Sequence, residues 1–133
     1  MSSHFEKVKN YLLELGLEIV EENADEELVV VRDEERGINN LIIDCEEPIL
    51  ILEQMVMGVP QSDRERFFER LLQINRNLIH GAFVLDEESK YVLFRDTLQL
   101  QNLDFNELEG SILALELALV EYGDELASYV KAK

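Results

Sequence analysis

The chain has 133 residues, a length that fits one domain over 1–133 and leaves no room for a multidomain enzyme. Hydrophobic residues make up 47% of it, enough to bury a core, which excludes a disordered acidic tail. Twelve Lys and Arg against 29 Asp and Glu give a formal net charge of −17, a field that repels nucleic-acid phosphates and anionic lipid headgroups. We therefore expect neither nucleic acid nor a membrane as a partner.

Cysteine use and the N-terminal pattern indicate a cytoplasmic location. The single cysteine, Cys45, cannot form an internal disulfide, and the first residues are polar and amphipathic rather than a signal peptide's apolar core. The longest apolar run, from Ile112 to Val120, is interrupted by Glu116 and is far shorter than the roughly 18 residues of a membrane span.

The first half of the chain predicts a helix followed by an antiparallel meander. Phe5, Val8, Leu12 and Leu15 share one helical face that ends at Gly16. Short β-branched runs separated by turn clusters then predict four strands, near Leu17–Glu21, Glu27–Arg32, Ile38–Cys45 and Ile49–Val56.

The second half predicts a helix, a hairpin and a long last helix. Ser62 and Glu65 have capping-box spacing ahead of an apolar face made by Phe67, Leu71, Ile74 and Leu78. Two strands, Ala82–Leu85 and Tyr91–Arg95, flank a turn. A helix capped by Asp104 or Asn106 then runs to about Tyr129, with an apolar stripe at Leu108, Ile112, Leu115, Leu119 and Tyr122. The order α-β-β-β-β-α-β-β-α predicts an α+β fold, an antiparallel sheet packed against helices.

Asn75 stands out on the second helix, because it lies between Leu71 and Leu78 on the apolar side. A buried amide must be hydrogen-bonded, so we expect it to bond the backbone of a neighbouring strand.

The strands are apolar on both faces, which is unusual for a sheet covered on one side. Counting alternate residues along each run assigns to the core Val29, Val31, Leu41, Ile43, Cys45, Ile49 and Ile51. The other set mixes apolar with polar side chains and predicts an outer, binding face at Leu28, Val30, Ile42, Leu50 and Leu52. The alternative is that these side chains are scattered singly or covered by the chain itself.

The last helix carries a second apolar stripe, formed by Leu113, Leu117 and Val120 and separated from the first by Glu109 and Glu116. We expect this stripe to form the interface of a homodimer, with the second helix as the main alternative interface. The other possibility is a helix wedged between the sheet and another helix of the same chain.

No pattern in the sequence predicts catalysis, a cofactor or a metal. The two histidines, His4 and His80, have no suitably spaced nucleophile, and the six glycines form no phosphate-binding loop. The acidic clusters lack the order of a calcium loop, and Cys45 lies among acids that disfavour a thiolate. A carboxylate-dependent hydrolase is the weakest reading, since no motif places an acid pair.

The second half also carries a family pattern: Leu71–Asn77, then Gly81–Asp86, then Tyr91–Arg95, and Leu103-Asp104 before the last helix. Over roughly Ser62 to Leu126 the chain resembles the type III secretion chaperone-like superfamily, including the Tir-chaperone type and the YbjN-like proteins. The resemblance implies a compact α+β homodimer without catalytic activity that binds an extended client segment through apolar patches and strand addition. The alternative is a YbjN-like regulatory or ligand-sensing domain without a secretion client.

Overall fold

The computed structural model describes residues 3–131, which contain three α-helices, six strands and one turn of 3₁₀ helix at Glu34–Arg36. The helices are α1 (Ser3–Glu14), α2 (Arg64–Asn77) and α3 (Phe105–Lys131). The strands are β1 (Glu18–Asn23), β2 (Leu28–Asp33), β3 (Ile38–Glu46), β4 (Ile49–Gly58), β5 (Ala82–Leu85) and β6 (Tyr91–Gln99). The predicted α+β class and element order are confirmed.

The strands form one antiparallel sheet in the order β1-β2-β3-β4-β6-β5. The last strand in sequence, β6, therefore lies inside the sheet and leaves β5 at the edge. β6 continues four residues beyond the predicted end at Arg95. An acid at position 96 breaks the apolar pattern, so the sequence does not predict this continuation. Asp96 fits within the strand because its carboxylate accepts a 2.5 Å hydrogen bond from the buried Ser111 hydroxyl of α3.

One core joins the three helices to one face of the sheet. It contains Phe5, Val8 and Leu12 of α1, and most of the predicted faces of α2 and α3 together with Leu126. Leu78 and Leu119 of those faces are partly buried against it. Alternate side chains of the strands complete it, among them Val29, Val31, Leu41 and Ile43, as predicted. None of the helices within residues 3–131 combines the length and the apolar character needed to cross a membrane.

The predicted facing of β4 is wrong. Leu50 and Leu52 are 0% and 4% exposed and belong to the core, whereas Ile49 and Ile51 point to the other face. The β3–β4 turn contains only Glu47 and Pro48, so that Glu46 pairs with Ile49 and Cys45 with Leu50. Directly paired residues share a face, and a two-residue turn pairs odd with even positions. Counting odd positions together on both strands therefore inverted β4.

The predicted N-terminal caps of α2 and α3 have different outcomes. At α3, the Asp104 carboxylate accepts from the Glu107 N–H at 2.8 Å, and the Glu107 carboxylate accepts from the Asp104 N–H at 3.0 Å. This reciprocal box confirms Asp104 as the cap. At α2, the residue before the helix is Asp63, whose φ of 54° is left-handed and whose side chain makes no capping bond. The Ser62–Glu65 prediction was wrong at that end.

Candidate polypeptide-binding surface

The sheet face opposite the helices, called the outer face below, is largely apolar. Cross-strand register aligns Leu28 with Asp44, Ile51 and Thr97, and aligns Val30 with Ile42, Glu53 and Arg95. A third row joins Met55, Leu93 and Val84. Ile42 and Met55 are exposed, and the other apolar side chains of these rows are half-buried. The apolar side chains of β2, β3 and β4 form a surface that Asp44, Glu53 and Arg95 interrupt.

Three of the five predicted binding residues lie on the outer face: Leu28, Val30 and Ile42. The other two, Leu50 and Leu52, are core residues beneath it. Sequence reasoning missed the outer-face position of Ile49 and of Ile51, which lies opposite Asp44. The signal that could have found it is the length of the Glu47-Pro48 turn, which sets the facing of β4.

One acid of this surface, Asp44, lies between Leu28 and Ile51. Its Oδ1 atom is buried and has no hydrogen-bond partner among the described residues. Burial, followed by the nearby charge of Glu46, raises the pKa of Asp44 to about 6. The neighbouring acid Glu53 differs, because Arg95 lies 3.2 Å from it. Asp44 is therefore an acid held in a partly apolar setting.

A second apolar surface lies on α3. Leu113, Leu117 and Val120 are 48%, 57% and 83% exposed, so the predicted second stripe is accessible. Beside it runs a groove of about 330 Å³, lined by Leu113, Leu117 and the segment after α2 that carries Ile79. Glu116, which separates the two stripes, bonds the Arg36 guanidinium at 2.9 Å. That ion pair holds α3 on the body of the protein with the second stripe turned outward.

The two edges of the sheet differ in how their backbone groups are occupied. At β5, the Asn75 side chain bonds both the N–H and the carbonyl of Phe83. β1 stands at the other end of the sheet, with no further strand beside it in residues 3–131. Its exposed side chains include Glu18, Glu21 and Glu22. Charged side chains on an edge discourage unspecific strand pairing.

Cys45 and His80 have no arrangement of described residues around them that indicates catalysis. Cys45 is buried, and burial raises its thiol pKa to about 12, so it is protonated at neutral pH. His80 lines a small cleft with Ser111, but the serine hydroxyl bonds Asp96. Among residues 3–131, no three His, Cys, Asp or Glu side chains are grouped to hold a metal ion.

Comparison with known proteins places this arrangement in context. The family model CesT_Tir_1 matches residues 1–132. No curated protein sequence matches the chain. Among solved structures, YbjN from E. coli has a TM-score of 0.68 and 14% identity, covering 90% of this chain and 91% of its own.

Two secretion chaperone structures also share the fold. One is the Yersinia pestis type III secretion chaperone SycH in complex with a fragment of YscM2, with a TM-score of 0.61 and 18% identity over 93% of this chain and 99% of that one. The other is the heterodimeric complex ExoU–SpcU from the Pseudomonas aeruginosa type III secretion system, with a TM-score of 0.66 and 17% identity over 93% of this chain and 98% of that one.

Proposed function

The chain belongs to the CesT_Tir_1 family, a type III chaperone family, and from that premise we propose that it binds and masks an extended segment of a client polypeptide without catalysing a reaction. The observation that carries the proposal is the outer face, where Leu28, Val30, Ile42 and Ile51 form an apolar surface that no helix of the described chain covers. Contiguous apolar surface of this kind is typical of interaction sites.

Masking works by burying alternate side chains of the client. An extended segment points every second side chain to the same side, so a strand lying over the sheet covers the outer face with one set of residues. Burial of each leucine-sized or isoleucine-sized side chain contributes about 1.5–3 kcal/mol at most. Several such contacts give useful affinity and still allow release.

Strand addition would use β1 rather than β5. The backbone groups of Phe83 at the centre of the short β5 strand are already bonded to Asn75, whereas β1 has no strand beside it in the described chain. Glu18 and Glu22 of β1 already contact Arg32 and Lys9 at 2.9 Å, so Glu21 is the β1 acid best placed to favour a client segment that carries positive charge.

We also propose a cytoplasmic homodimer that uses the exposed stripe of α3. Leu113, Leu117 and Val120 lie on the opposite side of the helix from its core stripe, and a symmetric pair of such helices buries both stripes at once. The net charge of −17 keeps the remaining surface soluble and repels unspecific anionic partners.

Site-directed photo-crosslinking in the native host tests the client proposal. A photo-reactive residue placed at position 42 on the outer face should capture polypeptide segments that mass spectrometry identifies. The matched control is the same residue at position 73, which is exposed on α2. Capture at position 73 equal to that at position 42 would reject the outer face as the binding surface.

A regulatory, ligand-sensing role is the competing function. Such a role needs an enclosed apolar pocket. The groove beside α3 is lined by the exposed Leu113, Leu117 and Ile79, so it opens to solvent and suits a protein surface better than a small molecule.

A further inference from the structure

Asp44 occupies the middle of the outer face. It pairs with Leu28 on one neighbouring strand and with Ile51 on the other, and Ile42 precedes it on the same side of β3. An ionised carboxylate is poorly solvated among apolar side chains unless a cation or a hydrogen-bond donor reaches it. A purely apolar client segment would therefore not account for an acid at this position.

The described chain provides no cation for this carboxylate. Arg95 lies against Glu53 at 3.2 Å, and Arg32 lies against Glu18 at 2.9 Å. The charged groups that act on Asp44 are all acids: Glu46 on β3, Glu26 before β2 and Glu53 on β4. Its Oδ1 atom accepts no hydrogen bond in residues 3–131.

We propose that Asp44 selects the client segment by receiving the side chain of a lysine or arginine that lies two positions from an apolar residue. This inference rests on the proposed function. The spacing follows from strand geometry, because residues two apart in an extended segment lie about 7 Å apart on one side, as Ile42 and Asp44 do on β3. The apolar client residue covers Ile42 while the basic residue pairs with Asp44.

The acids around Asp44 strengthen this selection. Glu46, Glu26 and Glu53 make the local field negative, and Arg95 of β6 is engaged with Glu53. A client acid at this position would meet like charge, and a client leucine would cover a carboxylate whose charge no cation offsets. A basic residue avoids both costs, because it brings a hydrogen-bond donor and a positive charge together.

Selection by Asp44 also makes binding depend on pH. The carboxyl group holds its proton up to about pH 6 in the free protein. A bound cation favours the ionised form, so affinity for a basic client is greatest above that value and declines as the pH falls through it.

The test uses two acetylated and amidated peptides that differ at one residue: Ser-Val-Ser-Lys-Ser-Val-Ser and the same sequence with Gln in place of Lys. Their dissociation constants are measured by NMR titration of the wild-type protein, of Asp44→Asn and of the control Glu87→Gln, which removes an exposed acid from the β5–β6 turn. The wild type and the control should prefer the Lys peptide by about tenfold, and Asp44→Asn should lose that preference.

The outcomes separate this inference from the function on which it rests. If the wild type binds both peptides equally, with shifts at Ile42 and Ile51, the outer face binds polypeptides and the selection by Asp44 is overturned. If Asp44→Asn retains the preference, the net charge of the protein causes it and Asp44 does not. If the wild type binds neither peptide, both the binding face and the selection are overturned.

Discussion

The amide of Asn75 closes the edge of the sheet by bonding both backbone groups of Phe83. Its nitrogen donates to the Phe83 carbonyl at 3.0 Å, and its oxygen accepts from the Phe83 N–H at 2.8 Å. The side chain thus takes the place of a neighbouring strand at β5. This finding confirms the expectation that an amide on the apolar side of α2 must bond the backbone of a strand.

Asn75→Ala should lower the free energy of unfolding by about 1–3 kcal/mol. The change removes both partners of Phe83 and leaves two backbone groups unsatisfied beneath α2. Urea unfolding measures the effect, with Asn77→Ala, an exposed position at the end of the same helix, as the control. A loss in Asn75→Ala no larger than in Asn77→Ala would contradict the edge-closing role.

Leu50→Asp and Leu52→Asp should each prevent stable folding, whereas Ile51→Asp should not. The first two place a carboxylate in the core, at a cost above the usual range for single changes. Ile51 lies on the outer face, where the charge reaches solvent. Circular dichroism melting curves compare the three variants. A folded Leu50→Asp protein together with an unfolded Ile51→Asp protein would show that Ile51, and not Leu50, faces the core.

Gly81→Ala should destabilise the protein by about 1–3 kcal/mol. The position has a left-handed φ of 75°, and a Cβ atom there would lie 2.4 Å from Cζ of Phe94 and 3.2 Å from the Arg95 carbonyl oxygen. The control is Gly123→Ala, within α3, where a Cβ meets nothing within 4 Å. That variant should gain about 0.5–1 kcal/mol in urea unfolding, because alanine favours the helix. Equal effects of the two changes would contradict the close approach at Gly81.

Asp44→Asn should stabilise the protein at neutral pH and have little effect in acid. The pKa of Asp44 is raised from 3.8 to about 6 in the folded protein, so the carboxyl group supports folding fully below about pH 4 and loses that contribution as the pH rises through 6. Replacing the carboxylate by a neutral amide avoids this loss of unfolding free energy. Because solvent screens the charge at this half-buried site, we expect a gain of about 1 kcal/mol at neutral pH.

Urea unfolding at about pH 8 and about pH 4.5 measures this dependence, since the expected gain shrinks steadily between these values. Glu87→Gln serves as the control for the change in net charge, because it lies exposed in a turn. A gain in Asp44→Asn that is the same at both pH values would show that the charge of Asp44 is not its source.

Leu117→Arg should weaken the proposed homodimer. The side chain is 57% exposed in the centre of the second stripe of α3, so a charge there opposes pairing while leaving the fold intact. Light scattering after gel filtration at several concentrations reports the mass. Leu72→Arg, an exposed position on α2, tests the alternative interface in the same way. A wild-type mass of 15.4 kDa at every concentration would reject the dimer.

The sequence by itself determined the kind and order of the elements. Helix and strand periodicities are local, so Phe67, Leu71 and Ile74 indicate one helical face without knowledge of what covers it. The need of Asn75 for a backbone partner could also be predicted from the sequence, because a polar side chain on an apolar helix face is buried and must be hydrogen-bonded. The apolar character of both sheet faces was visible for the same reason.

Only the tertiary structure decided which residues meet. The two-residue turn at Glu47-Pro48 sets the register of β4, and through it places Leu50 in the core and Ile51 beside Asp44. The insertion of β6 between β4 and β5 and the closing of β5 by Asn75 depend on pairing between distant segments. A run of apolar residues does not show which of them face the core, because a shift of one residue in the pairing exchanges the two faces of a strand.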